Sequence, residues 1–183
     1  NGRLKADDEV NAGTAVAATT DTQLALVGID KMHQEGYHGE GLLIAIMDAG
    51  FPNANTISYF QHIFNDGRFN EAGSYDFVAG GNNVFRQHQH GTNVWSIMAG
   101  FEEGSFVGGA YKANYVLFVT EHAPTEYRVE EYNWLLAAER ADSLGVDVIN
   151  TSLGYSTFDD PTMNYTTAQM NGQTTIITKA SAI

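Results

Sequence analysis

The apolar run at residues 42–47 constrains the fold more than any other segment of this sequence. It reads Leu-Leu-Ile-Ala-Ile-Met, so an extended chain here would carry apolar side chains on both faces. Such a strand is typical of a parallel sheet that is covered by helices on both sides. Residues 115–119 and 146–150 predict two more buried strands of the same sheet.

Helical patterns lie between and beside these strands. Apolar residues recur at three- and four-residue steps over residues 129–144, with glutamates near the start and Gly145 at the end. The same spacing predicts shorter helices over residues 23–36 and 94–101. Because strands and helices alternate, we predict an α/β fold with a parallel sheet flanked by helices on both faces.

The first 22 residues and the last few differ in character from the rest. Residues 1–22 are rich in Ala, Thr, Asp and Asn without periodicity, which predicts a flexible arm ahead of one unit over residues 23–183. After a long polar connection at residues 153–173, the apolar spacing of residues 176–183 predicts a helix that the chain end interrupts. We therefore expect the sequence to be the amino-terminal part of a longer domain.

The composition excludes several classes of partner and chemistry. Nine Lys and Arg against 22 Asp and Glu give a net charge of −13, so we expect no nucleic-acid partner. No apolar stretch approaches the roughly 20 residues that span a bilayer, so we expect no membrane insertion. The absence of cysteine excludes disulfides, cysteine-ligated zinc and thiol catalysis within these 183 residues.

Two residues stand where catalytic chemistry is expected in such a sheet. Asp48 directly follows the first predicted strand, at the edge where open α/β sheets bind ligands, and His90 precedes a predicted helix. A carboxylate at that edge can accept the Nδ1 proton of a histidine and stabilise the imidazolium that forms during proton transfer. Each residue alone also has a structural interpretation, since Asp48 can start a turn with Gly50 and a histidine can simply begin a helix.

Taken together, the segments around these residues resemble motifs of the subtilisin-like serine proteases. Residues 44–50 resemble the family's aspartate motif, and residues 90–94 resemble its histidine motif, although Asn93 stands where many members have a second histidine. Residues 148–154 resemble the family's Ile-Asn-x-Ser-Leu-Gly strand. The resemblance extends in order over residues 23–183.

This resemblance implies roles for five residues. Asp48 would orient the imidazole of His90, which would act first as general base and then as general acid. The backbone of Ser152, Leu153 and Gly154 would pair with a polypeptide substrate as an added antiparallel strand. The resemblance implies no cofactor and no catalytic metal, and it implies a secreted or extracytoplasmic protease.

The family also needs an oxyanion-hole asparagine and a Gly-Thr-Ser motif, and residues 1–183 supply neither. The resemblance thus implies a fold that is truncated before these motifs, with the carboxy-terminal half as its missing partner. Ser152 does not replace the nucleophile, because Asn150 stands where a nucleophile elbow requires glycine. The chain on its own is therefore predicted to be inactive.

Two other functions remain open. A protein that keeps the fold for binding or assembly, without the nucleophile, would carry the same motifs. A zinc-dependent hydrolase of unrelated α/β type would use His88, His90 and Asp48 as ligands, since imidazoles and a carboxylate suit zinc.

Several glutamates lie outside these motifs. Most are expected at the solvated surface, namely Glu102, Glu103, Glu126, Glu130 and Glu131. Glu121 is the exception, because it follows the strand at residues 115–119 in a loop that resembles one wall of the family's substrate cleft. Trp95 and Trp134 lie at helical spacing with apolar neighbours and are expected in the core.

Overall fold

A parallel sheet forms the centre of this computed structural model, which describes residues 18–182. The strands within that range are β1 (Leu43–Asp48), β2 (Tyr75–Asp76), β3 (Phe101–Glu102), β4 (Phe106–Val107), β5 (Asn114–Val119) and β6 (Val148–Thr151). Four of them form the parallel sheet in the order β2, β5, β1, β6, whereas β3 and β4 form a separate antiparallel hairpin. The predicted sheet is confirmed.

Helices connect the strands and cover the sheet. They are α1 (Asp21–Leu26), α2 (Ile29–Gln34), α3 (Gln61–Asn65), α4 (His90–Ala99), α5 (Val129–Ser143) and α6 (Ile176–Ala180). Single 3₁₀ turns lie at Ser58–Phe60, Pro161–Met163 and Thr167–Gln169. None of the helices within residues 18–182 combines the length and the apolar character needed to cross a bilayer.

The two faces of β1 belong to two different cores, as its apolar run predicts. Ile46 packs in a cluster with Trp95 of α4, and Trp95 stacks on Phe60 at 4.4 Å between ring centroids. Met47 points to the opposite face and packs in a cluster with Trp134 of α5. Because β1 is shielded from water on both faces, its carboxyl end is a rigid point from which a side chain can be presented.

The segment before β1 departs from the predicted pattern. The single helix expected over residues 23–36 is divided into α1 and α2 by Gly28, whose φ of +77° is left-handed. Most of the predicted arm, residues 1–17, lies outside the described residues. Thr20, near its end, is buried, and its Oγ1 accepts a hydrogen bond from the main-chain N–H of Val107 at 2.9 Å. Packing therefore begins before residue 23.

Candidate active site

Three neighbouring strands bring the candidate residues to one edge of the sheet. β1 ends at Asp48, which is in register with Val119 at the end of β5. The main-chain N–H of Thr120, just beyond β5, donates to the main-chain oxygen of Asp48 at 3.0 Å. Residues 152–154 follow β6 on the other side of β1. The candidate residues thus lie together at the carboxyl edge of the sheet.

Asp48 and His90 form a hydrogen-bonded pair at this edge. The carboxylate of Asp48 is fully buried, and its Oδ1 and Oδ2 lie 2.8 and 3.0 Å from Nδ1 of His90. Oδ1 also accepts the main-chain N–H of Ala49 at 2.7 Å. Because the carboxylate can only accept, Nδ1 carries the proton, and Nε2 is the basic nitrogen. The imidazole keeps 43% of its surface exposed, so it is accessible to a reacting group.

Two glycines let the strand and the helix approach closely enough for this pair. A Cβ on Gly91 would lie 2.4 Å from the carbonyl oxygen of Gly50 and 2.9 Å from Cβ of Asp48. Gly50 itself has a φ of +134°, and a Cβ there would lie 2.3 Å from the carbonyl oxygen of Arg86. The glycines in the two motifs are therefore required by close packing around the Asp48–His90 hydrogen bond.

Asp76 anchors the loop that leads to His90, and the sequence analysis missed it. Its carboxylate is fully buried and accepts from Nε of Arg86 at 3.2 Å and from Nε2 of Gln87 at 2.7 Å. The next residue, His88, donates its main-chain N–H to the carbonyl oxygen of Ala49 at 3.1 Å. No short motif marks Asp76, because its partners lie ten and eleven residues further along the chain.

The segment after β6 has an unpaired backbone. Within residues 18–182, no main-chain N–H or C=O group of residues 152–154 makes a backbone hydrogen bond. Ser152 and Gly154 are exposed and Leu153 is half-buried. The Ser152 hydroxyl accepts from Nδ2 of Asn150 at 3.2 Å, an arrangement that supplies no general base. Three consecutive free peptide groups beside β1 can accept an extended peptide as a further strand.

A cleft of about 190 Å³ lies between these elements. His90 and Ala49 line one side, Ser152 and Leu153 another, and Glu121 with the loop after it forms a third wall. A larger hollow of about 650 Å³ lies along the other side of His88 and is lined by apolar and polar residues of the loops after β2 and β5 in equal number. Together they leave room for an extended ligand beside the imidazole of His90.

Glu121 is buried in the wall of this cleft, which agrees with its exclusion from the glutamates expected at the solvated surface. Its Oε1 accepts hydrogen bonds from the hydroxyl of Tyr155 and from Oγ1 of Thr120, the latter at 2.9 Å. Burial raises the pKa of its carboxyl from an ordinary value of 4.5 to about 7, and these hydrogen bonds offset part of that rise. Glu121 therefore exchanges a proton near neutral pH.

The expectation that Glu130 and Glu131 are solvated is wrong, because both are buried at the first turn of α5. The carboxylate of Glu130 accepts the main-chain N–H groups of His122 at 2.9 Å and of Tyr127 at 3.2 Å. Glu131 accepts the hydroxyl of Tyr165 at 2.8 Å and binds the start of α6. Their donors lie on loops and at the start of α6, outside the helical pattern of α5, so sequence periodicity could not show that these charges are paired.

The ligands of the alternative zinc site, His88, His90 and Asp48, do not converge among the described residues. Nδ1 of His90 is bonded to Asp48, and Nδ1 of His88 lies 3.3 Å from the main-chain N–H of His90. Among residues 18–182, the group with metal-ligand spacing is instead Glu121, Glu126 and Glu130, whose oxygens lie within 4.8 Å of one another. Burial first, and then repulsion by Glu130 and Asp159, raises the pKa of Glu126.

We expect replacement of Glu121 with glutamine to stabilise the protein above neutral pH. The folded-state pKa is raised, so the protein loses stability as pH rises from about 4.5 to about 7, while the unfolded state ionises and the folded state does not. Glu121→Gln removes this penalty, which amounts to roughly 2–3 kcal/mol at pH 8. Urea unfolding at pH 4 and pH 8 measures the change in the free energy of unfolding. Replacement of the exposed Glu139 with glutamine is the control. An equal effect of Glu121→Gln at both pH values would contradict the prediction.

The chain belongs to the subtilase family, since the family model described as "Subtilase family" matches residues 39–182. This match includes both members of the Asp48–His90 pair and residues 152–154. The predicted family is thereby confirmed.

Solved structures of serine proteases share the fold. A structure of MycP1, described as an essential component of the type VII (ESX-1) secretion system, is 21% identical with a TM-score of 0.58, and the match covers 91% of this chain and 46% of that one. MycP1 from Mycobacterium smegmatis is 21% identical with a TM-score of 0.53, over 77% of this chain and 37% of that one. The present chain thus spans less than half of these proteins.

Proposed function

We propose that this chain is the amino-terminal part of a serine endopeptidase that hydrolyses peptide bonds through an Asp/His/Ser triad. The observation that carries the proposal is the pair of Asp48 and His90, in which a buried carboxylate accepts the Nδ1 proton of an accessible imidazole. Membership of the subtilase family supports the same reaction class.

In this proposal His90 transfers protons and Asp48 keeps it in the reactive tautomer. Nε2 of His90 takes the proton from the serine hydroxyl while the serine oxygen attacks the carbonyl carbon of the substrate. The imidazolium is stabilised by the adjacent carboxylate and then donates its proton to the leaving amine, which breaks the peptide bond. A water molecule repeats the sequence on the acyl-enzyme and releases the acid product, leaving His90 neutral.

The substrate is a polypeptide that lies along residues 152–154. Its backbone would add to the free peptide groups of this segment, which places the scissile carbonyl beside His90 across the cleft. We propose a secreted or extracytoplasmic location, in line with the family. MycP1, which shares the fold, is described as an essential component of a secretion system.

The serine and the oxyanion donors come from a carboxy-terminal half beyond residue 183. Within residues 18–182, β6 pairs with β1 alone, and Val148 and Ile149 remain 48% and 39% exposed. Beside them a hollow of about 270 Å³ is lined by Trp134, Ile149 and Ala180, among others. An exposed, partly apolar sheet edge of this kind is expected to be covered by further chain.

The test compares residues 1–183 with the full-length protein, by which we mean the polypeptide that carries both these residues and the proposed serine segment. Fluorogenic peptides should be hydrolysed by the full-length protein and not by residues 1–183, because no serine hydroxyl among residues 18–182 is hydrogen-bonded to the imidazole of His90. Robust hydrolysis by residues 1–183 would contradict the proposal that the serine lies beyond residue 183. Peptide binding without hydrolysis by the full-length protein would favour a non-catalytic binding or assembly protein.

A further inference from the structure

Residues 152–154 are fixed by the residues on either side of them rather than by their own backbone. Before them, Thr151 pairs with Met47 of β1, and its Oγ1 accepts the indole N–H of Trp134 from α5 at 2.8 Å. After them, the hydroxyl of Tyr155 donates to Glu121. Because the three residues between make no backbone hydrogen bonds within the described part of the chain, these two anchors determine where their free peptide groups lie.

The second anchor connects directly to the Asp48–His90 pair. Tyr155 and Glu121 are both buried, with 4% and 6% of their surfaces exposed. Glu121 is held by Oγ1 of Thr120, and the main-chain N–H of Thr120 donates to the main-chain oxygen of Asp48 at 3.0 Å. Hydrogen bonds therefore connect Tyr155, the residue after 152–154, through Glu121 and Thr120 to the backbone of Asp48.

We propose that Glu121 and Tyr155 are positioning residues, and that their buried hydrogen bond holds the peptide-binding segment at a fixed distance from His90. This inference rests on the proposed function. Neither side chain contacts the reacting atoms, and both act through the backbone of residues 152–154.

The hydrogen bond between Glu121 and Tyr155 should affect substrate binding because ordering a free segment costs conformational entropy. If the bond to Glu121 were absent, residues 152–154 would have to be ordered when the substrate binds, and the substrate would lose affinity accordingly. Burial and the adjacent Glu121 raise the pKa of the Tyr155 hydroxyl, which keeps it protonated and therefore a donor. Removing this bond should then weaken substrate binding before it affects the chemical step.

The decisive variant is Tyr155→Phe in the full-length protein, which removes one oxygen atom and keeps the buried ring. We expect KM for peptide substrates to rise about tenfold, the typical effect of losing a hydrogen bond to a charged or partly charged group, with kcat unchanged. Glu121→Ala should reproduce this rise. Glu121→Gln should leave KM close to that of the unmodified protein, because its amide oxygen can still accept from both Tyr155 and Thr120.

The matched control is Tyr132→Phe on α5, since Tyr132 is exposed and its hydroxyl makes no hydrogen bond among the described residues. A second measurement is the affinity of a fluorescent peptide for the same variants in a His90→Ala background. If the unmodified protein hydrolyses peptides and Tyr155→Phe changes neither KM nor peptide affinity, the inference is overturned and the proposed function stands. If the unmodified protein binds peptides without hydrolysis and Tyr155→Phe weakens binding, the inference stands and the proposed hydrolysis does not.

Discussion

Replacing His90 with alanine in the full-length protein should lower kcat/KM for peptide hydrolysis by about four to six orders of magnitude. The loss is large because the members of a triad act as one unit, so that Asp48 and the serine contribute little once the base is removed. Initial rates with a fluorogenic peptide at pH 8 measure the effect.

The control for this substitution is Gln89→Ala, which changes the exposed residue before His90 and leaves the Asp48–His90 hydrogen bond in place. Its turnover should match that of the unmodified protein. Near-normal turnover of His90→Ala, in a preparation free of contaminating peptidase, would be incompatible with the role assigned to His90.

Replacing Gly91 with alanine should both destabilise the fold and separate Asp48 from His90. Helix propensity alone would stabilise this variant, because alanine is favoured over glycine within a helix by about 1 kcal/mol. The new Cβ, however, would lie 2.4 Å from the main-chain oxygen of Gly50, and neither backbone can move without shifting Asp48 or His90. We expect a net loss of roughly 2–3 kcal/mol in the free energy of unfolding, together with a large fall in kcat.

Gly109→Ala is the matched control for Gly91→Ala. A Cβ on Gly109 would meet Cδ1 of Ile29 at 3.4 Å, which is ordinary van der Waals contact, so stability and turnover should be nearly unchanged. Urea denaturation of both variants measures the difference between them. Equal stability of the two variants would show that the close approach at Gly91 is not required.

The central sheet could be predicted from the sequence because its signals are local. Residues 42–47 are apolar on both faces, and the structure places them between two cores. The fifteen residues of α5 follow the predicted helical spacing from Val129 to within a residue of its expected end. β2 and the hairpin of β3 and β4 were missed, since strands of two residues are too short to show a period.

Part of the site was predictable for a similar reason. Asp48 follows a buried strand and His90 begins a helix, and the rule for carboxyl edges of parallel sheets brings such positions together. Asp76 and the bond between Tyr155 and Glu121 were not predictable, because their partners come from loops whose paths depend on tertiary packing. The same dependence explains why Glu130 proved to be buried.

Reaction of the full-length protein with a peptidyl phosphonate, followed by peptide mapping, tests the central claim most directly. We expect a single adduct on a serine outside residues 1–183, formed at a rate that falls sharply in His90→Ala, because the reagent reacts only with a serine activated by that base. An adduct on Ser152 or Ser105, or equal labelling of the unmodified protein and His90→Ala, would contradict the account.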